Sequence, residues 1–229
     1  MMNKFFDEFY NFAGFGPAIK AEMSSKEVLS FYKDKLPARL LEYWQEYGFC
    51  GWGDGIFWTV NPADYHDVLQ TWLQGTEFER REQNGIDEYF VIGRGAFGRL
   101  FVWGKTSGQS IKINPSYGML LPTDNTDNLR KRGEERSIEL YFANKSKDSM
   151  DEKDLDKKNL FDRAMAKLGP LEADEMYAFV PALALGGTNK LENLQKVKII
   201  EHLNFLAELG EKRVMADIVA LSNALPHNK

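Results

Sequence analysis

The chain has 229 residues, of which 43% are hydrophobic and 13% aromatic, and its formal net charge is −5. This length suits one large domain or two small ones, and the apolar content is sufficient for a sizeable core. The negative charge argues against a protein that mainly grips nucleic-acid phosphates, because such proteins present a basic face. It suits attraction to a basic partner instead.

The only cysteine is Cys50. A single cysteine excludes an internal disulfide framework and a thiolate metal site, and it fits a reducing compartment. The N-terminus has no uninterrupted apolar leader core, and no stretch approaches the roughly 18 to 20 apolar residues of a membrane span. We therefore expect a cytoplasmic protein that is neither exported by that route nor embedded in a membrane.

The first part of the chain predicts helices. Phe5, Phe9 and Phe12 recur at helical spacing, which predicts an amphipathic helix over residues 3–12. A serine at 24 or 25 is a suitable cap for a helix over 26–33, and Pro37 and Pro62 are placed at the first turns of two more. The glycine-rich residues 49–55 predict a turn that leads into a strand over 56–60.

After Glu88 the hydrophobic period falls to two, which predicts strands. Four runs of β-forming residues follow one another, at 89–92, 100–103, 110–113 and 117–121. Their short connections require antiparallel pairing, because parallel strands need a crossover of about a dozen residues or more. The sequence thus predicts an α+β fold in which helices pack on an antiparallel meander.

The C-terminal half predicts a smaller, mostly helical subdomain. A charged helical connection is expected over 124–156, with 148–156 either a linker or part of a continuous helix. Pro181 favours a short strand followed by a turn over 176–185. A helix is predicted over 199–209, and Val214, Ile218 and Leu221 predict another. The predicted division is 1–123, 124–156 and 157–229, with the last part packed on the first.

A glycine motif stands out at Gly93, Gly95 and Gly98, with Lys112 downstream. The spacing resembles the phosphate-binding loop of protein kinases. However, the chain lacks the catalytic loop and the metal-binding D-F-G of those enzymes. No helix follows Gly98, as a dinucleotide-binding motif requires. A glycine-bearing hairpin turn is the favoured interpretation.

The sequence provides no catalytic or metal-binding constellation. His66, His202 and His227 have no ligand spacing between them. Cys50 lies between aromatic neighbours, which favours a small buried thiol over a nucleophile. We therefore predict no catalytic residue and no metal site.

Between Arg39 and Arg80 the chain carries seven carboxylates and no lysine or arginine. These acids are either ordinary solvated helix faces or one negative surface that docks a cationic protein. In the second interpretation Trp52 and Asp54 occupy an exposed loop tip, and Trp52 and Trp58 serve as apolar anchors. The candidate partner-binding residues are Glu42, Glu46, Trp52, Asp54, Asp64, Asp67, Glu77 and Glu79.

Several segments resemble known families. FAGFGPA (12–18), LPARLLEYWQEYG (36–48), GIFWTVNPADY (55–65) and AFGRLFVWG (96–104) resemble the GAD-like domain of bacterial immunity proteins. LGPLEADEMYAFVPALALGG (168–187) and EHLNFLAEL (201–209) resemble the C-terminal domain of Tdi-type immunity proteins of type VI secretion systems. A distant kinship with Smi/Knr-type domains is also implied.

The resemblance implies a cytoplasmic antitoxin that binds and blocks a cognate toxin, typically a DNase effector, with no enzymatic activity and no cofactor. A nuclease has a basic DNA-binding face, so an acidic inhibitor surface would oppose it. Two other functions remain open. One is a tRNA- or RNA-associated GAD-like module, which the net negative charge disfavours. The other is a nucleotide-binding protein that uses the Gly93–Gly98 loop.

Overall fold

The computed structural model describes residues 3–217 and 220–221. Ten strands lie within these residues: β1 Ile19–Glu22, β2 Phe49–Trp52, β3 Phe57–Thr59, β4 Tyr89–Gly95, β5 Leu100–Gly104, β6 Gly108–Asn114, β7 Met119–Pro122, β8 Glu175–Phe179, β9 Leu194–Lys198 and β10 Arg213–Val214. The α-helices of the same residues are α1 Lys4–Asp7, α2 Lys26–Tyr32, α3 Ala38–Tyr47, α4 His66–Leu73, α5 Glu77–Gln83, α6 Thr126–Arg132, α7 Glu134–Ala143, α8 Lys147–Met150, α9 Phe161–Leu168 and α10 Ile199–Glu208. No helix in this part of the chain is long and apolar enough to cross a membrane.

The main sheet has the order β1-β2-β3-β4-β5-β6-β7-β10. Neighbours from β1 to β7 are antiparallel, and β10 adds to β7 in parallel. β8 and β9 form a separate antiparallel pair. The α+β class and the antiparallel meander are thus confirmed. All four predicted meander strands are present, because short turns leave antiparallel pairing as the available geometry.

Helices cover both faces of the sheet. On one face, the Phe142 ring of α7 lies 5.3 Å from the Phe9 ring and 6.3 Å from the Phe57 ring. The next residue in β3, Trp58, points to the other face because side chains alternate along a strand. There its ring carries the guanidinium of Arg94, 4.4 Å from the ring centroid. β4 and β5 are buried along their whole length, so they do not show the predicted period of two. Burial on both faces of the sheet is the reason.

The predicted N-terminal helix is present, but not all the phenylalanines that it buries are the predicted ones. Phe6 and Phe9 lie in the core, whereas Phe12 is 77% exposed. The helix changes at Glu8 into a π-helical turn over Glu8–Phe12, in which the Ala13 amide donates to the Glu8 carbonyl. A π turn holds more residues than an α turn, so it rotates Phe12 away from the face that Phe9 occupies.

Residues 49–52 form a strand, so the predicted turn over 49–55 is wrong for its first half. The turn is limited to Gly53–Gly55. Gly51 is needed for close packing and not for a turn, because a Cβ at this position would lie 2.9 Å from Ile19 Cγ1 and 3.0 Å from the Trp58 ring. The partner strand β1 was not predicted at all.

The helix predicted from Val214, Ile218 and Leu221 is wrong at Val214. Val214 belongs to β10, whose flanking amides bond to β7: Arg213 donates to the Gly118 carbonyl and Met215 to the Leu120 carbonyl, both at 2.8 Å. The free edge of β7 supplies hydrogen-bond partners for the backbone of these residues. The helical pattern of the sequence is too weak to compete with this pairing. Ile218 lies outside the described residues. Leu221 is helical as predicted, and its amide donates to the Asp217 carbonyl at 3.0 Å.

The remaining C-terminal predictions are confirmed at 176–185 and 199–209, where β8, a 3-10 turn at Leu183–Leu185 and α10 lie. The charged segment 148–156 is neither a continuous helix nor an open linker. After α8 it forms an ordered loop in which Asp151 accepts hydrogen bonds from the Leu160 and Phe161 amides.

Candidate functional site

Both tryptophans proposed as partner anchors are core residues. Trp52 is 1% exposed, and its indole N–H donates to Thr59 Oγ1 at 3.2 Å. Trp58 is 2% exposed and donates to the Gly55 carbonyl at 2.8 Å. The prediction that Trp52 lies at an exposed loop tip is therefore wrong, because strand β2 turns its side chain inward. Asp54 does lie exposed at the turn, with φ 62°.

The seven carboxylates of the acidic stretch lie on five elements. Glu42 and Glu46 are on α3, Asp54 is in the turn, Asp64 is in the 3-10 turn Pro62–Tyr65, Asp67 is in the first turn of α4, and Glu77 and Glu79 are on α5. All are exposed except the half-buried Glu79, which accepts a hydrogen bond from the Gly75 amide at 2.7 Å. Among the described residues only Glu42 forms an ion pair, with Arg39.

Asp64 carries the clearest electrostatic signal of this group. Partial burial and the nearby carboxylate of Glu22 raise its pKa above the ordinary aspartate value. Neither acid has an ion-pair partner within the described chain. A second carboxylate beside a partly desolvated one leaves negative potential that a cation would relieve. We call Glu22, Asp64 and Asp67 the acidic patch.

Glu22 and its neighbour Met23 were not identified as candidate binding residues from the sequence. Glu22 ends the edge strand β1, and its carbonyl lies against Gly48 at the end of α3, where an added Cβ would be only 2.3 Å away. Met23 follows at once and is 59% exposed. No sequence signal places residue 22 beside residue 64, since the pairing depends on β1 joining the sheet.

Cys50 is fully buried, as predicted. Burial raises the pKa of its thiol to about 12, although a hydrogen bond with Thr59 acts in the opposite direction. A thiol held protonated and out of solvent is a poor nucleophile. His66 is exposed, and burial lowers the pKa of His202. No group of three or more His, Cys, Asp or Glu side chains suited to a metal ion occurs among the described residues.

The Gly93–Gly98 segment is a hairpin between β4 and β5, as predicted. Its amides are already used: Gly95 donates to the Arg99 carbonyl, Ala96 to that of Ile56 and Gly98 to that of Gly95. The Ala96 carbonyl accepts from the Tyr177 amide of β8 at 2.9 Å. These amides are therefore not free to cradle a phosphate.

A cleft of about 380 Å³ with cationic walls lies between the sheet and helices α6 and α7. Four basic side chains and no carboxylate line it: Arg99, Arg132, Lys112 and Lys145. Lys145 is 6% exposed, and its ammonium lies 3.6 Å from the Tyr141 ring centroid and 4.2 Å from that of Phe101. Burial, followed by Lys112 and Arg99, lowers the pKa of Lys145 well below the ordinary lysine value.

Comparison with known families assigns both halves of this chain. Residues 4–117 match the GAD-like domain. Residues 135–210 match the family described as T6SS immunity protein Tdi1, C-terminal. The protein is therefore an α+β protein with a GAD-like domain followed by a Tdi1-type C-terminal domain. This architecture places it among the type VI secretion immunity proteins, as the sequence resemblance predicted.

One solved structure supports the fold over nearly the whole chain. The crystal structure of Atu4351 from Agrobacterium tumefaciens superposes with a TM-score of 0.80, covering 93% of this chain and 91% of that one at 20% identity. At this identity the likeness concerns the fold alone. No curated protein sequence matches the chain significantly.

Proposed function

We propose that this immunity protein acts by binding, without catalysis, and neutralises a nuclease toxin, a DNase, by covering its basic active-site face. The observation that carries the proposal is the acidic patch, in which the Glu22 carboxylate lies close enough to partly desolvated Asp64 to raise its pKa. Neither acid forms an ion pair among the described residues. A nuclease must present cations to DNA phosphates. Carboxylates that occupy those positions would both compete with DNA and steer association.

The surroundings of the patch support a protein interface. Met23 is exposed beside Glu22 and provides the apolar contact previously assigned to Trp52. Asp67 follows Asp64 by three residues, so the two side chains lie on neighbouring positions of one helical surface. Glu46 is exposed two residues before Gly48, against which the Glu22 carbonyl lies. An apolar centre with a charged rim is common in protein interfaces.

The test uses the toxin encoded beside this gene, defined as a reading frame that kills alone and is tolerated when this chain is co-expressed. We expect the triple variant Glu46→Lys, Asp64→Lys and Asp67→Lys to slow association at low salt and to weaken binding about tenfold or more. The salt dependence of the association rate should also decrease, because fewer attractive charges are screened.

A matched control reverses three exposed carboxylates elsewhere, Glu192→Lys, Glu201→Lys and Glu208→Lys, which changes net charge equally. Only the Glu46, Asp64 and Asp67 reversals should slow association strongly. Equal effects of the two triple variants would show that net charge, and not this surface, governs binding. Unchanged binding and protection in the first variant would remove the acidic patch from the interface, while immunity through another surface would stand.

A further inference from the structure

The cationic cleft is separate from the acidic patch, and the proposed inhibition of a toxin does not use it. Its floor is made by the sheet: Phe101 of β5 pairs directly with Lys112 of β6, so both side chains lie on the same face. Arg99 precedes Phe101 by two residues and shares that face. Lys145 follows α7 and lies over the Phe101 ring from the opposite wall.

Lys145 is the most unusual group of this cleft. Its ammonium contacts the rings of Tyr141, Phe101 and Phe57 at 3.6, 4.2 and 4.4 Å. No described residue forms an ion pair or a hydrogen bond with it. A buried ammonium without an anion is costly, because three aromatic rings replace only part of its hydration.

The other cations leave a surplus of positive charge. The Arg99 guanidinium is held by the Glu152 carboxylate at 2.6 Å and by the Ser149 carbonyl at 2.8 Å, so this pair is neutral. Lys112 and Lys145 remain unpaired within the described chain, and Arg132 adds charge to the lining. The Tyr141 hydroxyl is buried without a hydrogen-bond partner. The cleft thus offers two to three uncompensated cations and a free hydroxyl.

We infer that this cleft is a binding site for a small phosphate-bearing ligand, either free phosphate or a phosphate monoester. A monoester carries about −1.5 to −2 charges at pH 7 and three acceptor oxygens, which matches Lys112 and Lys145 better than a single carboxylate does. The cleft volume of about 380 Å³ is at the small end of ligand pockets. This volume admits a compact ligand.

Isothermal titration at constant ionic strength tests this site with inorganic phosphate, ribose 5-phosphate and glutarate as probes. Wild-type protein should bind both phosphates and bind glutarate more weakly. Tighter binding of ribose 5-phosphate would identify an organic phosphate as the ligand, and equal binding would identify free phosphate. Lys112→Gln should weaken phosphate binding about tenfold or more, since one charge-assisted contact is lost.

The matched control is Lys105→Gln, an exposed lysine outside the cleft lining, which should bind like the wild type. Lys145→Met should abolish phosphate binding while circular dichroism shows a folded protein. Equal phosphate binding by Lys112→Gln and Lys105→Gln would overturn the inference, as would glutarate binding as tight as phosphate. Binding of tRNA that weakens in Lys112→Gln, with no binding of either small phosphate, would also overturn it in favour of an RNA surface.

Discussion

Two cations are buried among the described residues, and each is accommodated differently. Arg94 is fully buried, stacks on Trp58 and donates to the Ala173 carbonyl at 2.9 Å. Burial lowers the pKa of Arg94, and the neighbouring Tyr65 hydroxyl opposes this shift. Lys145 places its ammonium against three aromatic rings at the wall of the cleft. An arginine tolerates such a site better, because its charge is delocalised and weakly hydrated. Lys145 is therefore the side chain we expect to destabilise the empty cleft.

Replacing Lys145 with methionine should raise the free energy of unfolding by about 1–3 kcal/mol at pH 7, because the stem and its packing remain while the buried charge disappears. The pKa of Lys145 is lowered by folding, so the unfolded chain binds the proton more tightly. Wild-type stability should consequently rise with pH from the lowered folded pKa toward the ordinary lysine value. Lys145→Met should lose this component.

Urea denaturation between pH 6 and 9 measures both effects, with Lys105→Met as the control for a lysine in solvent. A less stable Lys145→Met protein would mean that the contacts of the ammonium with the three rings outweigh the cost of burying it. The gain in stability and the loss of phosphate binding should occur together, as is common when a site is built at the expense of the fold.

At the level of elements, the β4–β5 hairpin is a packing surface and not an exposed loop. Gly98 adopts φ 81°, and an added Cβ would lie 2.6 Å from Met176 Cε and 3.3 Å from Leu203 Cδ2. The ring centroids of Phe97 and Tyr177 are 5.9 Å apart. The turn thus serves as the contact between the main sheet and the β8–α10 region. Close packing against Met176 and Leu203, and not phosphate binding, therefore accounts for Gly98 in the kinase-like motif.

Gly98→Ala should destabilise the protein more than Gly75→Ala. Both glycines have φ near +80°, where a side chain costs about 1–2 kcal/mol. Gly75 has nothing within 4 Å of the added Cβ, whereas Gly98 meets the fully buried Met176. The difference between the free energies of unfolding of the two variants measures the cost of the clash with Met176.

Adding Met176→Ala to Gly98→Ala provides the check on this contact. The double variant should be more stable than the sum of the two single effects predicts, because the shortened side chain relieves the clash. Strict additivity, or equal costs for Gly98→Ala and Gly75→Ala, would show that Met176 moves aside freely.

At the scale of the whole molecule, the two matched regions share one core. Phe142 of α7 belongs to the second region but packs its ring 5.6 Å from that of Phe6 at the N-terminus. On the opposite side of the sheet, the Trp72 indole donates to the Leu203 carbonyl at 3.2 Å. Burial of aromatic side chains is the largest stabilising contribution available to such a protein. The division at 1–123, 124–156 and 157–229 stays a prediction.

This shared core predicts one cooperative unfolding transition. Scanning calorimetry should give a calorimetric enthalpy equal to the van't Hoff enthalpy. Tryptophan fluorescence, which reports residues 44–103, should coincide with far-ultraviolet circular dichroism, which reports all helices. Two transitions, or fluorescence that changes at a different temperature from helix content, would show that the C-terminal domain unfolds independently.

The sequence by itself determined the α+β class, the meander strands, the buried thiol, the hairpin at Gly98 and the exposure of the acids, because these follow from local periodicity, short turns and polarity. Only the tertiary structure decided that Trp52 is buried, that Phe12 is exposed, and that Val214 extends the sheet. It also brought Glu22 beside Asp64, and Arg99, Lys112 and Lys145 around one cleft. These juxtapositions arise from strand pairing and helix packing between distant residues, and no spacing along the chain encodes them.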